Sequence, residues 1–380
     1  MLENLIPYFN NIEIDTNFKD FDYRFFSINK NTSEINVEQL KNSDIVILSV
    51  PEYRASENFS EKYSNNIRTE FYKLFKSSGN EKIYDLGDLK LGNTLSDTYF
   101  ALQEVVFLLL TNKIIPIIIG GGQDLTYSQF LAHEKNQENI NIVSIDSCLD
   151  IGNSEEDFNS KSYIGKIIFN RKKGLFNYTN IGFQNYLVPR FEKQLVDKLN
   201  FDAVRLGFAK LNIYENEPIL RDADIVSIDV SAIKHADAPG NINSSPNGFL
   251  PEEICQLARY AGNNDKITSF GIYEYNANLD IHNSTAKLLA QIIWHFVEAF
   301  YERKNEYPIE NINNYKKFIV QFDNNNAELI FYKSDKTQRW WVETKNFDKN
   351  RFIISCSYND YLNCVKGDIS ERIFKFYQKI

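Results

Sequence analysis

The chain consists of short, almost wholly apolar runs that alternate with segments of helical length and apolar spacing. One run, IIPIIIG (114–120), follows SDTYFALQEVVFLLLTNK (96–113), a helix-like stretch whose Ser–Asp start suits a helix cap. The other runs are SDIVILSV (43–50), NINIVSID (139–146), YTNIGF (178–183), AVRLGF (203–208), ADIVSIDV (223–230) and ITSFGIYEY (267–275). Runs without a polar face must be covered on both sides. The pattern therefore predicts an α/β fold with three layers, αβα, around a central parallel sheet.

The sequence changes character after Lys304. Short strand-like runs joined by polar turns lead to a final helical stretch, ISERIFKFYQKI (369–380). We therefore expect one domain over residues 1–304 and a small α+β extension over residues 305–380.

The extension contains one unusual cluster, formed by Arg339, Trp340 and Trp341. Adjacent side chains on a strand point to opposite faces, so at least one tryptophan is expected in a core. The other, with Arg339, could lie at a protein interface, where both residue types are enriched, or pack against the main domain. The alternative is that both tryptophans are buried within the chain.

Charge and composition exclude several functional classes. A formal net charge of -9 over 380 residues argues against sequence-independent binding of nucleic acid, which needs a basic surface. No apolar run reaches the roughly 18 residues of a membrane-spanning helix, so membrane insertion is not expected. The N-terminus lacks the basic and apolar regions of a secretion signal, and the four cysteines form no CxxC pair. Reduced thiols in a cytoplasmic protein are the simplest interpretation.

Polar residues follow three of the apolar runs, at the point where each strand would end. They are Gln123 after Gly120, Gly121 and Gly122, then Asp146, Cys148 and Asp150, and finally Asp229 and Ser231. Because the carboxyl ends of parallel strands share one edge of a sheet, we expect these residues to converge on a site for a hard cation. The alternative for any single aspartate is a turn or a helix cap. For the glycines it is a tight turn followed by an Asp124 N-cap.

Three segments together resemble the motifs of the ureohydrolase superfamily, which contains the arginases, agmatinases and formimidoylglutamases. They are GGGQDLTY (120–127), SIDSCLDIG (144–152) and SIDVSAIKHADAPG (227–240), with weaker support from ILSVPEYRAS (47–56) and GIYEYNANLD (271–280). The similarity extends over roughly residues 40–300 and is greatest to the formimidoylglutamase-like branch. It implies an arginase-like fold and, in active members, two Mn²⁺ ions that activate a hydroxide for attack on a guanidinium or formimino carbon.

The resemblance also shows where this chain departs from the family pattern. The first metal position of the family, one His and three carboxylates, corresponds to Gln123, Asp146, Asp150 and Asp229. This set could hold one Mn²⁺, Mg²⁺ or Ca²⁺ ion. At the second position Cys148 replaces a His and Ser231 replaces an Asp, so we expect that a binuclear centre does not form. The stretch 150–169 also lacks the histidine that family members often use in proton transfer.

These losses favour a catalytically inactive protein that acts by binding, as a scaffold or complex subunit, with a protein partner or further copies of itself. No cofactor is expected in that case. The alternative is a hydrolase of a guanidino or formimino C–N bond with a single metal ion. Glu274 corresponds to the family carboxylate that receives the cationic group of the substrate, so a small cationic ligand is compatible with both hypotheses.

The aspartates also raise an electrostatic problem. Asp146, Asp150 and Asp229 cannot all stay ionised side by side without a cation or hydrogen-bond donors. We expect one of three solutions: a single metal ion, a basic side chain such as Arg205 turned into the pocket, or a raised pKa on one aspartate.

Overall fold

The computed structural model describes residues 2–10, 23–28, 35–59, 65–153, 157–169, 174–308, 312–322, 327–345 and 351–379. These residues form a large unit around a mostly parallel sheet and a smaller unit around an antiparallel sheet. Within them, no helix is both long enough and apolar enough to cross a membrane.

The main sheet is built from strands whose side chains are mostly buried. Its strands are β1 (Phe9–Asn10), β2 (Ile45–Val50), β3 (Ile83–Leu89), β4 (Ile115–Gly120), β5 (Ile140–Ile145), β6 (Leu175–Phe183), β7 (Asp202–Arg205), β8 (Ile225–Asp229) and β9 (Ser269–Tyr273). Their order in the sheet is β1-β3-β2-β4-β9-β8-β5-β6-β7. Strands β2 to β9 are parallel to their neighbours, and only β1 pairs antiparallel, with β3. The predicted parallel sheet is confirmed, with an antiparallel strand added at one edge.

Helices cover both faces of this sheet. They are α1 (Val37–Lys41), α2 (Asn65–Tyr72), α3 (Leu95–Thr111), α4 (Leu125–Glu134), α5 (Tyr163–Phe169), α6 (Arg190–Lys198), α7 (Leu206–Leu211), α8 (Glu217–Arg221), α9 (Pro251–Gly262) and α10 (Ser284–Tyr301). Side chains alternate across β4, so Ile117 and Ile119 pack in the core that includes α2, α9 and α10. Ile118 packs on the other face, in the core that includes α3. The predicted three-layer αβα architecture is therefore confirmed.

Three local features differ from the sequence-based expectations. The cap of α3 is Thr94, which forms a capping box with Asp97, rather than the Ser–Asp pair itself. The run AVRLGF is not one strand, because β7 ends at Arg205 and α7 begins at Leu206. Strand β3 (IYDLGDL), which contains two aspartates, was not predicted.

The second unit lies after the last helix of the main unit. Its sheet has the order β10 (Tyr315–Phe322), β11 (Ala327–Ser334), β12 (Trp340–Lys345), β13 (Arg351–Cys356), and each neighbouring pair is antiparallel. Two helices, α11 (Tyr358–Val365) and α12 (Glu371–Lys379), complete it. This agrees with the predicted α+β character of the extension.

The two tryptophans of β12 point to opposite faces, as predicted, and both are buried. Trp340 stacks on Tyr361 of α11 with ring centres 4.7 Å apart. Trp341 is fully buried on the other face. Arg339 pairs with Glu217 of α8 at 3.0 Å. All three residues thus have roles within the chain. Trp340 is 5% exposed and Trp341 0%, in agreement with the alternative that both tryptophans are buried within the chain.

Arg221, at the end of α8, fixes the extension to the main unit. It is 5% exposed, and its Nη2 donates to the carbonyl oxygens of Trp340 (3.0 Å) and Cys356 (3.1 Å). Its guanidinium lies 4.5 Å from the centre of the Trp341 ring. The next residue, Asp222, accepts hydrogen bonds from the backbone N–H and the hydroxyl of Ser355 at 2.9 and 2.7 Å. Hydrogen bonds to charged groups in such a buried contact are stronger than surface ion pairs.

Replacing Arg221 with alanine is therefore expected to lower the free energy of unfolding by about 3 kcal/mol, because it removes a buried charged donor from two carbonyl oxygens. Urea denaturation followed by tryptophan fluorescence measures the loss. Arg205→Ala removes an exposed arginine and serves as the control, with a change near zero. Equal stabilities of the two variants would contradict the role given to Arg221.

Candidate functional site

Three carboxylates meet at the carboxyl edge of the main sheet. Asp146 directly follows β5, Asp229 is the last residue of the neighbouring β8, and Asp150 lies in the loop after β5. One ligand atom of each residue lies within 4.8 Å of those of the other two, and all three residues are buried. Asp150 has a left-handed backbone with φ +52°, which turns the loop so that its side chain joins the cluster. The structure therefore brings together the three aspartates that the sequence singled out.

Gln123, after β4, closes the cluster from a third strand. One end of its side-chain amide lies 2.8 Å from Asp146 Oδ2 and 3.1 Å from Asp150 Oδ2. The other end lies 3.1 Å from the hydroxyl of Ser227 and 3.2 Å from that of Ser144. With its nitrogen toward the carboxylates, Gln123 donates a hydrogen bond to each of them.

The same amide can be turned by half a rotation, which exchanges its nitrogen and oxygen. The nitrogen then donates to the hydroxyls of Ser144 and Ser227, and the oxygen faces the carboxylates. Hydroxyl groups donate or accept, so the serines satisfy either orientation. Gln123 can therefore act as a donor to the carboxylates or as a fourth oxygen ligand beside them.

The pKa values of the clustered carboxyl groups are raised mainly by burial, and no described basic side chain forms an ion pair with them. Burial, and then the charge of Asp146, raise the pKa of Asp150 well above its usual range. Burial, followed by the charges of Asp146 and Glu274, does the same to the pKa of Asp229. Burial also raises the pKa of Asp146. A raised carboxyl pKa was one of the three expected ways to relieve the repulsion between the aspartates. Without a bound cation, the structure fits this one.

No ion pair neutralises these charges among the described residues; Lys161, which pairs with Glu57, is influenced by the charge of Asp150 only at longer range. Within the described parts of the chain, Asp146, Asp150 and Asp229 form no ion pair with a lysine, arginine or histidine. Arg205 is exposed at the end of β7, beside Tyr186, so the expectation that it turns into the pocket is wrong. The reason is that β7 ends at this residue and the chain turns into α7 at the surface.

The two remaining positions of the predicted site carry neutral groups. Burial, and then the charge of Asp146, raise the pKa of the Cys148 thiol to about 12, so it stays protonated at neutral pH. The Ser231 hydroxyl lies 3.0 Å from that of Ser147 and 3.4 Å from Asp146 Oδ1. A neutral thiol and a hydroxyl lack the charge and the imidazole nitrogen that a second Mn²⁺ would need.

Glu274 follows β9 at the same edge, and both of its carboxylate oxygens accept hydrogen bonds. Its Oε2 accepts hydrogen bonds from the Ser56 hydroxyl (2.5 Å) and the Asn58 amide (2.8 Å), and its Oε1 accepts from the Gln123 backbone N–H (2.9 Å). The residue is 3% exposed and has a left-handed backbone, with φ +66°. Glu274 thus ties the loops after β2 and β4 to β9.

The glycines of the β4 loop allow close contact with the chain itself. A Cβ on Gly121 would lie 1.9 Å from the Glu52 carbonyl oxygen, and one on Gly122 would lie 2.0 Å from Asp124 Oδ1. The alternative of an Asp124 N-cap is only half correct. Asp124 occupies the cap position of α4, but its side chain makes no capping bond and accepts a hydrogen bond from the Tyr99 hydroxyl instead.

Two hydroxyls that support Gln123 were not predicted from the sequence. Ser144 and Ser227 each lie two residues before a clustered aspartate, in the repeated sequence Ser-Ile-Asp. Residues two apart in a strand point to the same face. The repetition was therefore a usable signal that these serines line the same site.

Comparisons with known proteins agree with this geometry. A model described as the arginase family matches residues 52–298. A formimidoylglutamase of Staphylococcus haemolyticus (strain JCSC1435) is 26% identical over 251 residues, covering 63% of this chain and 79% of that protein. A formimidoylglutamase of Clostridium tetani (strain Massachusetts / E88) is 26% identical over 238 residues, covering 57% of this chain and 70% of that protein.

Solved structures are similar in fold. The Trypanosoma cruzi formiminoglutamase with Mn2+2 has a TM-score of 0.65 at 19% identity and covers 74% of this chain and 99% of its own. The formimidoylglutamase of Bacillus subtilis subsp. subtilis str. 168 has a TM-score of 0.66 at 16% identity, with 77% of this chain and 97% of its own covered. The family match, the formimidoylglutamase relatives and the shared fold lead to one conclusion: this chain belongs to the arginase family.

Proposed function

We propose that this chain is an arginase-family hydrolase that uses one hard divalent cation and acts on the C–N bond of a formimino or guanidino compound. The observation that carries the proposal is the convergence of Asp146, Asp150 and Asp229 in a buried site where no described basic side chain forms an ion pair with them. Burying three carboxylates together destabilises the fold unless a cation offsets their charge. Sites with such a cost are typical of functional centres.

The donor set fits one hard ion. Carboxylate oxygens are the ligands that Mn²⁺, Mg²⁺ and Ca²⁺ prefer, and the Gln123 amide oxygen can join them when it faces the cluster. The residues that would hold the ion are therefore Asp146, Asp150, Asp229 and Gln123. The set does not fit a second ion, since Cys148 and Ser231 bring neither charge nor imidazole.

The chain's own residues would bind and orient the substrate. A bound ion would act as a Lewis acid toward water or the amidine group. Ser144 and Ser227 hold the Gln123 amide in place, and Asn241 donates to Asp229 Oδ1 at 3.3 Å. Glu274 supplies the buried negative charge that a formimino or guanidino cation requires. The named activity of the relatives, formimidoylglutamase, supports the same substrate class.

A second candidate function is non-catalytic binding, as a scaffold or complex subunit. Two observations favour it. Cys148 and Ser231 carry neutral groups, and Ser56 and Asn58 already donate hydrogen bonds to the Glu274 carboxylate. A substrate cation would have to displace the donors from the loop after β2 to reach Glu274. In this case the site would hold a ligand or ion without turning it over.

Metal content and turnover distinguish the two candidates. The protein, loaded with Mn²⁺ and desalted, is expected to hold one ion per chain and to release formamide from formiminoglutamate or urea from agmatine or arginine. Asp229→Asn removes a ligand and is expected to lower kcat/KM by about 100-fold. The exposed Asp368→Asn serves as the control and leaves the rate unchanged. One ion without metal-dependent turnover would favour the binding function, and two ions would contradict the single-ion site.

The neutral residues of the second position give a further prediction. The double variant Cys148→His, Ser231→Asp restores an imidazole and a carboxylate beside Asp146 and Asp229. It is therefore expected to bind two Mn²⁺ ions per chain where the wild type binds one. Elemental analysis and isothermal titration measure the stoichiometry. If the double variant folds and still binds one ion, the losses at Cys148 and Ser231 are not what limits the site.

Stability without metal should depend on pH in a defined direction. The pKa of Asp150 is raised on folding, so its contribution to stability is complete below its unfolded pKa and is lost as pH rises toward the folded value. In chelator, Asp150→Asn is therefore expected to be more stable than wild type at about pH 8, by roughly 3 °C in Tm, and the difference should shrink at about pH 5. Asparagine tolerates the left-handed backbone of this position.

Adding Mn²⁺ should reverse that ranking. At 100 times its dissociation constant the ion stabilises wild type by about 2.7 kcal/mol, whereas the variant lacks one ligand and gains less. Thermal unfolding followed by circular dichroism measures both effects. A Tm difference that is the same at both pH values, or unaffected by Mn²⁺, would rule out carboxylate repulsion as its cause.

A further inference from the structure

A cavity lies where the extension meets the main sheet, at the edge opposite the aspartate cluster. Its volume is about 460 Å³. Its walls include Asn141 and Asn177, near the amino ends of β5 and β6, together with residues of β13 and α12. Cavities of roughly 300–1,000 Å³ are of the size that holds small organic ligands.

One part of the wall is aromatic. Phe376 of α12 packs edge-on against Phe176 of β6, with ring centres 5.5 Å apart, and against Phe352 of β13, at 6.2 Å. All three rings line the cavity. This wall comes from both units, so the apolar surface forms only when the extension is docked. A flat apolar group would find contacts of this kind favourable.

Another part of the wall is basic, and most of its charges are already paired. Lys266 and Arg372 both pair with Asp222, at 3.4 and 3.3 Å, and Arg351 pairs with Glu343 at 2.6 Å. Lys266 and Arg372 thus share the single charge of Asp222, and Arg351 has Glu343, so each of these three cations already has a carboxylate partner.

Lys379 is the exception. Its ammonium group donates to the side-chain oxygen of Asn177 and lies 5.2 Å from the centre of the Phe201 ring. In the part of the chain that the structure describes, it makes no ion pair with a carboxylate; Asp202, the nearby acid, pairs with Lys375 at 3.4 Å. Burial lowers the pKa of Lys379 to about 8, although the charge of Asp202 acts in the opposite direction. The cavity thus presents an ammonium group that forms no ion pair with any of the described carboxylates.

We propose that this cavity binds a small organic anion, with a carboxylate or phosphate against Lys379 and a flat apolar body against Phe176, Phe352 and Phe376. The site is separate from the aspartate cluster and does not depend on hydrolysis there. It takes the opposite charge from the ligand expected at Glu274, so the two sites select different molecules.

Binding of simple probes tests the proposal. Benzoate and phenyl phosphate are titrated into the full-length protein and observed by saturation-transfer NMR, with benzyl alcohol as the uncharged probe. At least one anion is expected to bind with a dissociation constant below about 1 mM, and at least tenfold more tightly than benzyl alcohol. The better of the two anions identifies the charged group as carboxylate or phosphate.

Matched lysine variants locate the site. Lys379→Met keeps the aliphatic stem and is expected to weaken anion binding at least tenfold, whereas Lys41→Met, on the exposed end of α1, leaves it unchanged. The proposal is overturned if neither anion binds to wild type in this range, or if both variants bind equally well. A crystal soaked with 4-bromobenzoate gives a readout on wild type, in case Lys379→Met fails to fold. The bromine should lie beside the three phenylalanine rings, and a position elsewhere would overturn the assignment.

Discussion

Three carboxylates buried at one edge of a parallel sheet are the constraint around which the rest of the site is arranged. The edge exists because β4, β5, β8 and β9 are neighbours and all end there. What surrounds the carboxylates is a set of neutral donors: the Gln123 amide, the Ser231 and Cys148 backbone N–H groups, and the side chain of Asn241. These donors spread the negative charge without cancelling it. The site therefore remains receptive to a cation.

The main features of the fold could be predicted because most strands have apolar side chains on both faces. Runs such as IVILSV and IPIIIG can only be buried between two layers, and the helices between them supply those layers. Strand β3 escaped prediction for a specific reason. Its Asp85 is buried through an ion pair with Arg68 of α2, at 2.9 Å, and no local pattern shows that such a partner is near. Burial of an acid depends on a contact across the fold, which sequence periodicity does not contain.

In the candidate site, too, some features follow from the sequence pattern and others depend on contacts across the fold. The aspartates and Gln123 follow strand ends, and parallel topology is enough to bring them together. The expected position of Arg205 was wrong because the end of β7 could not be read from AVRLGF, whose apolar residues continue into α7. The engagement of Glu274 could not be foreseen either. It depends on the path of the loop that carries Ser56 and Asn58, and loops of this kind have no periodic signal.

The way in which the extension is attached has a practical consequence for the search for partners. A shortened protein that stops before β10 would leave the guanidinium of Arg221 without its carbonyl acceptors and would expose Ile219 and Val143 at the base of the sheet. Such a fragment would expose an apolar surface that is covered in the intact protein. Proteins that bind to the fragment could therefore be binding to this newly exposed surface, and their capture would not identify a natural partner. Point substitutions on the outer surface of α12 are the sounder way to ask whether the extension recruits anything.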